Sequence, residues 1–194
     1  MNAPIEFETP RLRLRQWRAA DRAPFAMLNA DPVVMRYFQA PLTLEQSNEI
    51  VDRCERFIAE RGWGPWATEI KATGEFIGIV GLNVPRVDLP ISPCVEILWR
   101  LAKLHWHQGF ATEAARGALA VGFEGLGLPE IVSFTVPTND RSRAVMERLG
   151  MRKDPDTFEH PGIPEGHVFR THCSYRLSRE EWLSARPKRG PSPT

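Results

Sequence analysis

No run of apolar residues in this sequence approaches the length a membrane-spanning helix needs. The opening stretch, MNAPIEFETP, holds acids and no Arg or Lys before Arg11. It therefore lacks the basic start of a signal or transit peptide, and the cytoplasm is the expected compartment. Cysteine is scarce: Cys54, Cys94 and Cys173 are widely spaced, with no CxxC pair. That argues against a zinc site or a disulfide framework, and each lies in an apolar-rich run as a small core residue would. Charge of one sign is not in excess either, with 25 basic and 24 acidic side chains giving a net +1. Nothing in that balance calls for nucleic acid, whose binders carry a basic face. The string GxxxxGK(S/T) is missing, and no GxGxxG follows a strand, so ATP and dinucleotide readings lose their main support. Internal repeats and long interior linkers are missing as well.

What is present is an ordinary globular balance, 42% apolar and 25% charged over 194 residues. It reads as one mixed α/β domain over 1–185, followed by a disordered tail at 186–194. RLRLRQW (11–17) alternates as a half-buried strand, and one or two short helices follow it. Thr43 and Gln46 form a capping box before Ile50, Val51, Cys54, Phe57 and Ile58, which recur at helical spacing until Gly62. Strands at about 65–71 and 75–84 make a hairpin, and FIGIVGL is apolar enough to be buried on both faces. CVEILWRL (94–101) is a strand that turns through AKLHWHQGFAT into a helix; IVSFTV (131–136) is another strand. A helix capped by Thr138 or Asn139 then runs to Leu149 with Gly150 as its stop, 150–165 reads as irregular, and VFRTHCSYRL is a last strand.

The chemistry concentrates at the turn into the helix near Gly109. There the amides of His107, Gln108, Gly109, Phe110, Ala111 and Thr112 would be unpaired helix N-terminal donors, which attract phosphate or pyrophosphate. Gly109 would let the backbone approach such a ligand, and Thr112 adds a hydroxyl. Ala111, Ala114, Ala115, Ala118 and Gly122 give the helix a small-residue face for docking on a sheet. A glycine-assisted turn with nothing bound has the same local sequence.

WHQGFA after a strand resembles motif A of the GNAT N-acetyltransferases, whose pattern is Gln/Arg-x-x-Gly-x-Gly/Ala, with Trp106 at the first position. A Trp there is familiar in the RimJ/RimL-like branch. TPRLRLRQW, GWGPWATEI with GEFIGIVGL, VPTNDRSRAVMERLGM and HPGIPEGHVFRTHCSYRLSREEW are similar to further segments of that branch, in its order. The resemblance implies a mixed, mostly antiparallel α/β sheet of about seven strands flanked by helices and splayed between the fourth and fifth. It also implies acetyl-CoA as co-substrate, a primary amine of a peptide N-terminus or small molecule as acceptor, and compatibility with a homodimer.

By the same resemblance, backbone groups of Trp99, Arg100 and Leu101 would pair with the pantetheine arm. The amides of 107–112 would hold the pyrophosphate, and Asn139 would contact the cofactor, although a plain helix cap also explains it. Glu96, the lone acid in its apolar strand, is the candidate general base, unless it faces outward or is structurally paired. Where many relatives carry a Tyr and an acid, this chain has Met146 and Phe134. Ser142 is the candidate partner of the leaving sulfur, or else a cap. Tyr37, Trp63, Trp66 and His172 are candidate acceptor contacts, each with a packing role as the alternative. His105 and His107 have no evident third ligand, so no metal is expected. Two other readings stay open: a sensor that binds acetyl-CoA without turnover, and a general nucleotide binder.

Overall fold

A computed structural model describes residues 3–185, so the expected tail at 186–194 lies outside the described residues. Eight strands form one sheet: β1 (Phe7–Glu8), β2 (Leu12–Arg15), β3 (Pro65–Ile70), β4 (Phe76–Asn83), β5 (Glu96–Leu101), β6 (Glu130–Thr135), β7 (Arg152–Glu159) and β8 (Thr171–Ser178). Their spatial order is β1-β2-β3-β4-β5-β6-β8-β7. Every pairing is antiparallel except β5 with β6. Among the described residues no helix is long and apolar enough to cross a membrane.

The helices form where local signals ask for them. In α2 (Leu44–Arg61) the Thr43 hydroxyl accepts from the Gln46 amide at 3.2 Å, and Gln46 Oε1 accepts from the Thr43 amide at 2.9 Å. Gly62 ends the helix at φ 80°, where a glycine costs least. Thr43→Ala removes one partner of this box. It is expected to cost about 1 kcal/mol and lower Tm by about 2–4 °C in a thermal melt.

Two strands were not legible in sequence. The two-residue β1 is one. The other is β7, within the stretch expected to be irregular. It is an edge strand whose residues are mostly exposed, and its register with β8 shifts between Lys153 and Thr157, around Pro155. Without a buried face it has no apolar alternation, and an edge tolerates the proline. Counting β1, the expected splay falls between β5 and β6.

Register assigns the faces. Leu82 lies opposite Ile97, and a Cβ on Gly122, just past α3 (Phe110–Ala120), would sit 3.1 Å from Leu82. Ala114, Ala115 and Ala118 of α3 are fully buried, so α3 docks closely on this face. Asn83 lies opposite Glu96 and Ile79 opposite Arg100, on the other face. Arg100 reaches Asn29 of α1 (Arg22–Ala30), which packs on α2. The odd residues of β5 therefore meet α3, and the even residues meet α1 and α2.

Candidate active site

β5 and β6 share a single register pair, Glu96 with Val132, backed by Val132 N–H to Val95 O at 2.9 Å and Ser133 Oγ to Ile97 O at 3.0 Å. Beyond it the strands part. Ala102 N–H bonds Ile77 O across β4–β5, so antiparallel alternation turns the main chain of Arg100 toward β4 and that of Trp99 and Leu101 into the gap. This corrects the expectation for Arg100: its backbone is spent within the sheet, and its side chain lines the cavity instead. Leu101 O accepts from the Trp106 indole at 2.8 Å, which leaves the Trp99 N–H and C=O and the Leu101 N–H facing the gap.

At the end of β5 the chain passes through His107 (φ 61°) and Gly109 (φ 80°) into α3. Among the described residues, none of the amides of 107–112 donates a hydrogen bond; the first to do so is Glu113, to Gly109 O at 3.0 Å. A Cβ on Gly109 would meet nothing nearer than Arg11 Nη2 at 3.5 Å, so backbone conformation requires the glycine here, not crowding. The one acid of the first turn, Glu113, is held by Arg11 Nε and Thr9 Oγ1, both at 2.6 Å, which keeps its charge from an incoming anion. The Gln108 side chain bonds Leu104 O at 3.0 Å, so only its amide can serve a ligand.

The gap opens into a cavity of about 1410 Å³ that runs from this loop past Trp99, Glu96 and Ser142 to Tyr37, Phe38 and His172. Glu96 is half-buried on the α1–α2 face. Desolvation pushes its pKa up to about 7, against the opposing hydrogen bond from Asn83 Nδ2 at 2.6 Å. A carboxyl poised there can take up or release a proton at neutral pH.

Asn139 caps α4 (Asp140–Arg148): its Oδ1 accepts from Ser142 N–H at 3.3 Å, and its Nδ2 donates to Thr135 Oγ1 at 2.9 Å and Ser142 Oγ at 3.2 Å. Both amide protons are thereby committed. Asn139 therefore caps the helix while also lining the cavity, and it positions Ser142, whose own hydroxyl proton remains available. Met146 and Phe134 both line the cavity. Tyr175 does not replace the missing tyrosine. It is buried outside the cavity, donating to Glu147 and accepting from Arg143, each at 3.2 Å.

His172 lies in the cavity wall with its Nδ1 3.1 Å from Arg170 O. Facing a carbonyl, Nδ1 carries the proton, which leaves Nε2 as an acceptor. Its ring stands 5.0 Å from that of His160, against Phe134 and Phe158, and burial lowers the pKa of both histidines. His160, Asn83 and the Arg100 side chain were not singled out in the sequence. For the last, the shared strand parity with Glu96 was the available signal.

Tyr37 lines the cavity, whereas two other aromatic candidates do not. Trp66 is fully buried, donates to Ile5 O at 2.7 Å and meets Phe7 edge-on at 5.1 Å. Trp63 packs edge-on against Phe57 at 5.3 Å. Both are packing residues. Among the described residues no group of three or more His, Cys, Asp or Glu could hold a metal ion, and His105 instead contacts Glu75 at 3.1 Å.

Residues 11–152 match the family model described as acetyltransferase (GNAT) domain. The chain is 36% identical to the uncharacterized protein YkkB of Bacillus subtilis, over 78% of this chain and 87% of that one. It is 33% identical to the "FsC-acetyl coenzyme A-N(2)-transacetylase" of Aspergillus fumigatus, over 94% of this chain and 80% of that one. Among solved structures, an acetyltransferase from Agrobacterium tumefaciens superposes with a TM-score of 0.73 at 29% identity, covering 91% of this chain and 96% of its own.

Proposed function

Since the chain belongs to the GNAT acetyltransferase family and is an acetyl-CoA-dependent N-acetyltransferase, we propose that acetyl-CoA lies in the β5–β6 gap and that Glu96 accepts the proton of a primary amine. One observation carries this reading: six unpartnered amides at 107–112 continue directly into the open edge of β5, which leads to the half-buried Glu96. The donor set fits the group. The amides at the α3 N-terminus suit the pyrophosphate. The Trp99 N–H and C=O with the Leu101 N–H suit the amides of a pantetheine arm.

In the reaction a nitrogen–carbon bond forms at the acetyl carbonyl as the carbon–sulfur bond breaks. The ammonium proton passes to Glu96, directly or through water; the second proton that the nitrogen sheds as the amide forms ends on the coenzyme A sulfur, to which Ser142 donates a hydrogen bond as it departs. A serine is a weak acid, so Ser142 acts by hydrogen bonding to the thiolate. Orientation of two substrates in one cavity supplies much of the remaining acceleration.

The segments similar to the RimJ/RimL-like branch support a peptide N-terminal amine as acceptor. The name of the Aspergillus relative, an N(2)-transacetylase, supports a nitrogen as acceptor without fixing its class. Apolar Met146 and Phe134 favour a second reading, an acetyl-CoA-binding protein without turnover. Thermal unfolding with acetyl-CoA against ATP and NAD tests the cofactor: at a hundredfold Kd, a stabilisation of about 2.7 kcal/mol raises Tm by about 5–10 °C. Thiol release across an amine panel then separates the two readings. A Tm rise without release from any amine selects the sensor, and no rise at saturation overturns both.

A further inference from the structure

We propose that the acceptor amine also carries a carboxylate, which the Arg100 guanidinium holds, so that the substrates are amino acids or short peptides with a free carboxylate. This deepens the acetyl-transfer reading and rests on it. Arg100 lies on the same face of β5 as Glu96, four residues on, about 13 Å along the strand. Its side chain lines the acceptor half of the cavity. Nη1 donates to Asn29 Oδ1 at 2.6 Å, Asn29 is itself fixed by Ser47 Oγ at 2.9 Å, and the guanidinium stacks over Phe38 at 4.3 Å. These contacts use one end of the group. Nε and Nη2 have no protein partner among the described residues; Nε is buried, so Nη2 is the donor left open to a carboxylate in the cavity.

Among the described residues the one buried arginine meets acids on both sides. Arg15, 2% exposed, pairs with Asp21 at 2.7 Å and Glu69 at 2.7 Å. Arg100 forms no ion pair among the described residues. Its neighbour Cys54, whose thiol burial pushes up to about 12, is neutral. Burial lowers Arg100 only to about 10, so it stays charged at neutral pH. A partly buried charge without a counter-charge is costly, and a ligand carboxylate supplies one. The surroundings agree in sign: Arg53, Arg56, Arg86, Arg141 and Arg148 line the same cavity, against Glu60, Asp140 and a Glu96 that is partly protonated at neutral pH. That field attracts an anionic acceptor and opposes a polyamine.

The test uses matched pairs, each a free acid and its carboxamide: glycine, aminohexanoate and glycylglycine, with acetyl-CoA and thiol release as readout. In the wild type kcat/KM for acids should exceed that for amides by about 10- to 100-fold. Arg100→Met should bring the ratio toward one through the acceptor KM, Arg100→Lys should restore part of it, and the KM for acetyl-CoA should stay put. Inhibition of the wild type by N-acetylglycine over N-acetylglycinamide reads the same contact without a variant, should Arg100→Met fail to fold. Equal rates for acids and amides overturn the inference and leave acetyl transfer standing. A rise in the acetyl-CoA KM with an unchanged ratio also overturns it, by assigning Arg100 to the cofactor. No thiol release from any amine overturns the acetyl-transfer reading, and this inference with it.

Discussion

Glu96→Gln is expected to lower kcat/KM for acetyl transfer by about 100- to 10,000-fold, the usual contribution of a positioned general base. The substitution keeps the shape of the side chain and an oxygen for the Asn83 amide, now 2.6 Å away, so packing changes little. Two pH dependences then separate a catalytic from a structural role. In the wild type, activity should rise with pH through about 7 as the carboxyl loses its proton. The residual activity of Glu96→Gln should lack that limb. Stability runs the other way. The folded protein holds this proton up to about 7, whereas the ordinary value is 4.5, so the folded state binds more protons across that window and loses stability as pH rises through it. Glutamine removes that loss. Glu96→Gln should therefore melt above the wild type at pH 8, with the gap closing toward pH 4. A variant that keeps its activity, or that melts lower at pH 8, would show that Glu96 is a structural partner of Asn83 and no base.

The parts of the fold legible in sequence are those set by neighbours in the chain. The Thr43–Gln46 box and Gly62 bound α2 because caps are local hydrogen bonds and local dihedrals. FIGIVGL announced β4 because a strand buried on both faces needs no partner to show its character. The strand–turn–helix around Gly109 was readable for the same reason, since unpaired amides follow from where a helix begins. What was not legible depends on contacts made across the sheet. β7 has almost no apolar pattern of its own and exists because β8 offers it an edge. Trp66 was an open choice between acceptor wall and core, and it was decided by the segment around Ile5 and Phe7 folding over the indole. The pairing of His160 with His172 comes from β7 and β8 lying side by side, with eleven residues between the two histidines in sequence. Arg100 was read for its backbone, as the family motif suggests. Strand alternation already put its side chain on the Glu96 side, and only the structure shows that, among the described residues, no acid pairs with it there.

The cofactor loop admits a sharper test than deletion. Gly109→Asp should raise the Kd for acetyl-CoA by about a hundredfold or more, and Gly109→Asn by about tenfold or less. Both residues must adopt φ 80°, which asparagine and aspartate tolerate better than other side chains, and both have room, since the nearest atom to a new Cβ is Arg11 Nη2 at 3.5 Å. They differ only in charge. The amides of 107–112 form an anion site by backbone geometry and the dipole of α3, so a fixed carboxylate at 109 competes for those donors and repels an incoming pyrophosphate. The same carboxylate is favourable at a helix N-terminus when no ligand is bound. Gly109→Asp should thus match or exceed Gly109→Asn in Tm without ligand while binding acetyl-CoA far more weakly. Those opposite signs cannot come from general unfolding. Added salt should narrow the difference in Kd, because the loop is exposed and the repulsion is screened. Equal Kd values for the two variants would mean that no phosphate sits on this loop, and the placement of acetyl-CoA along β5 would have to be abandoned.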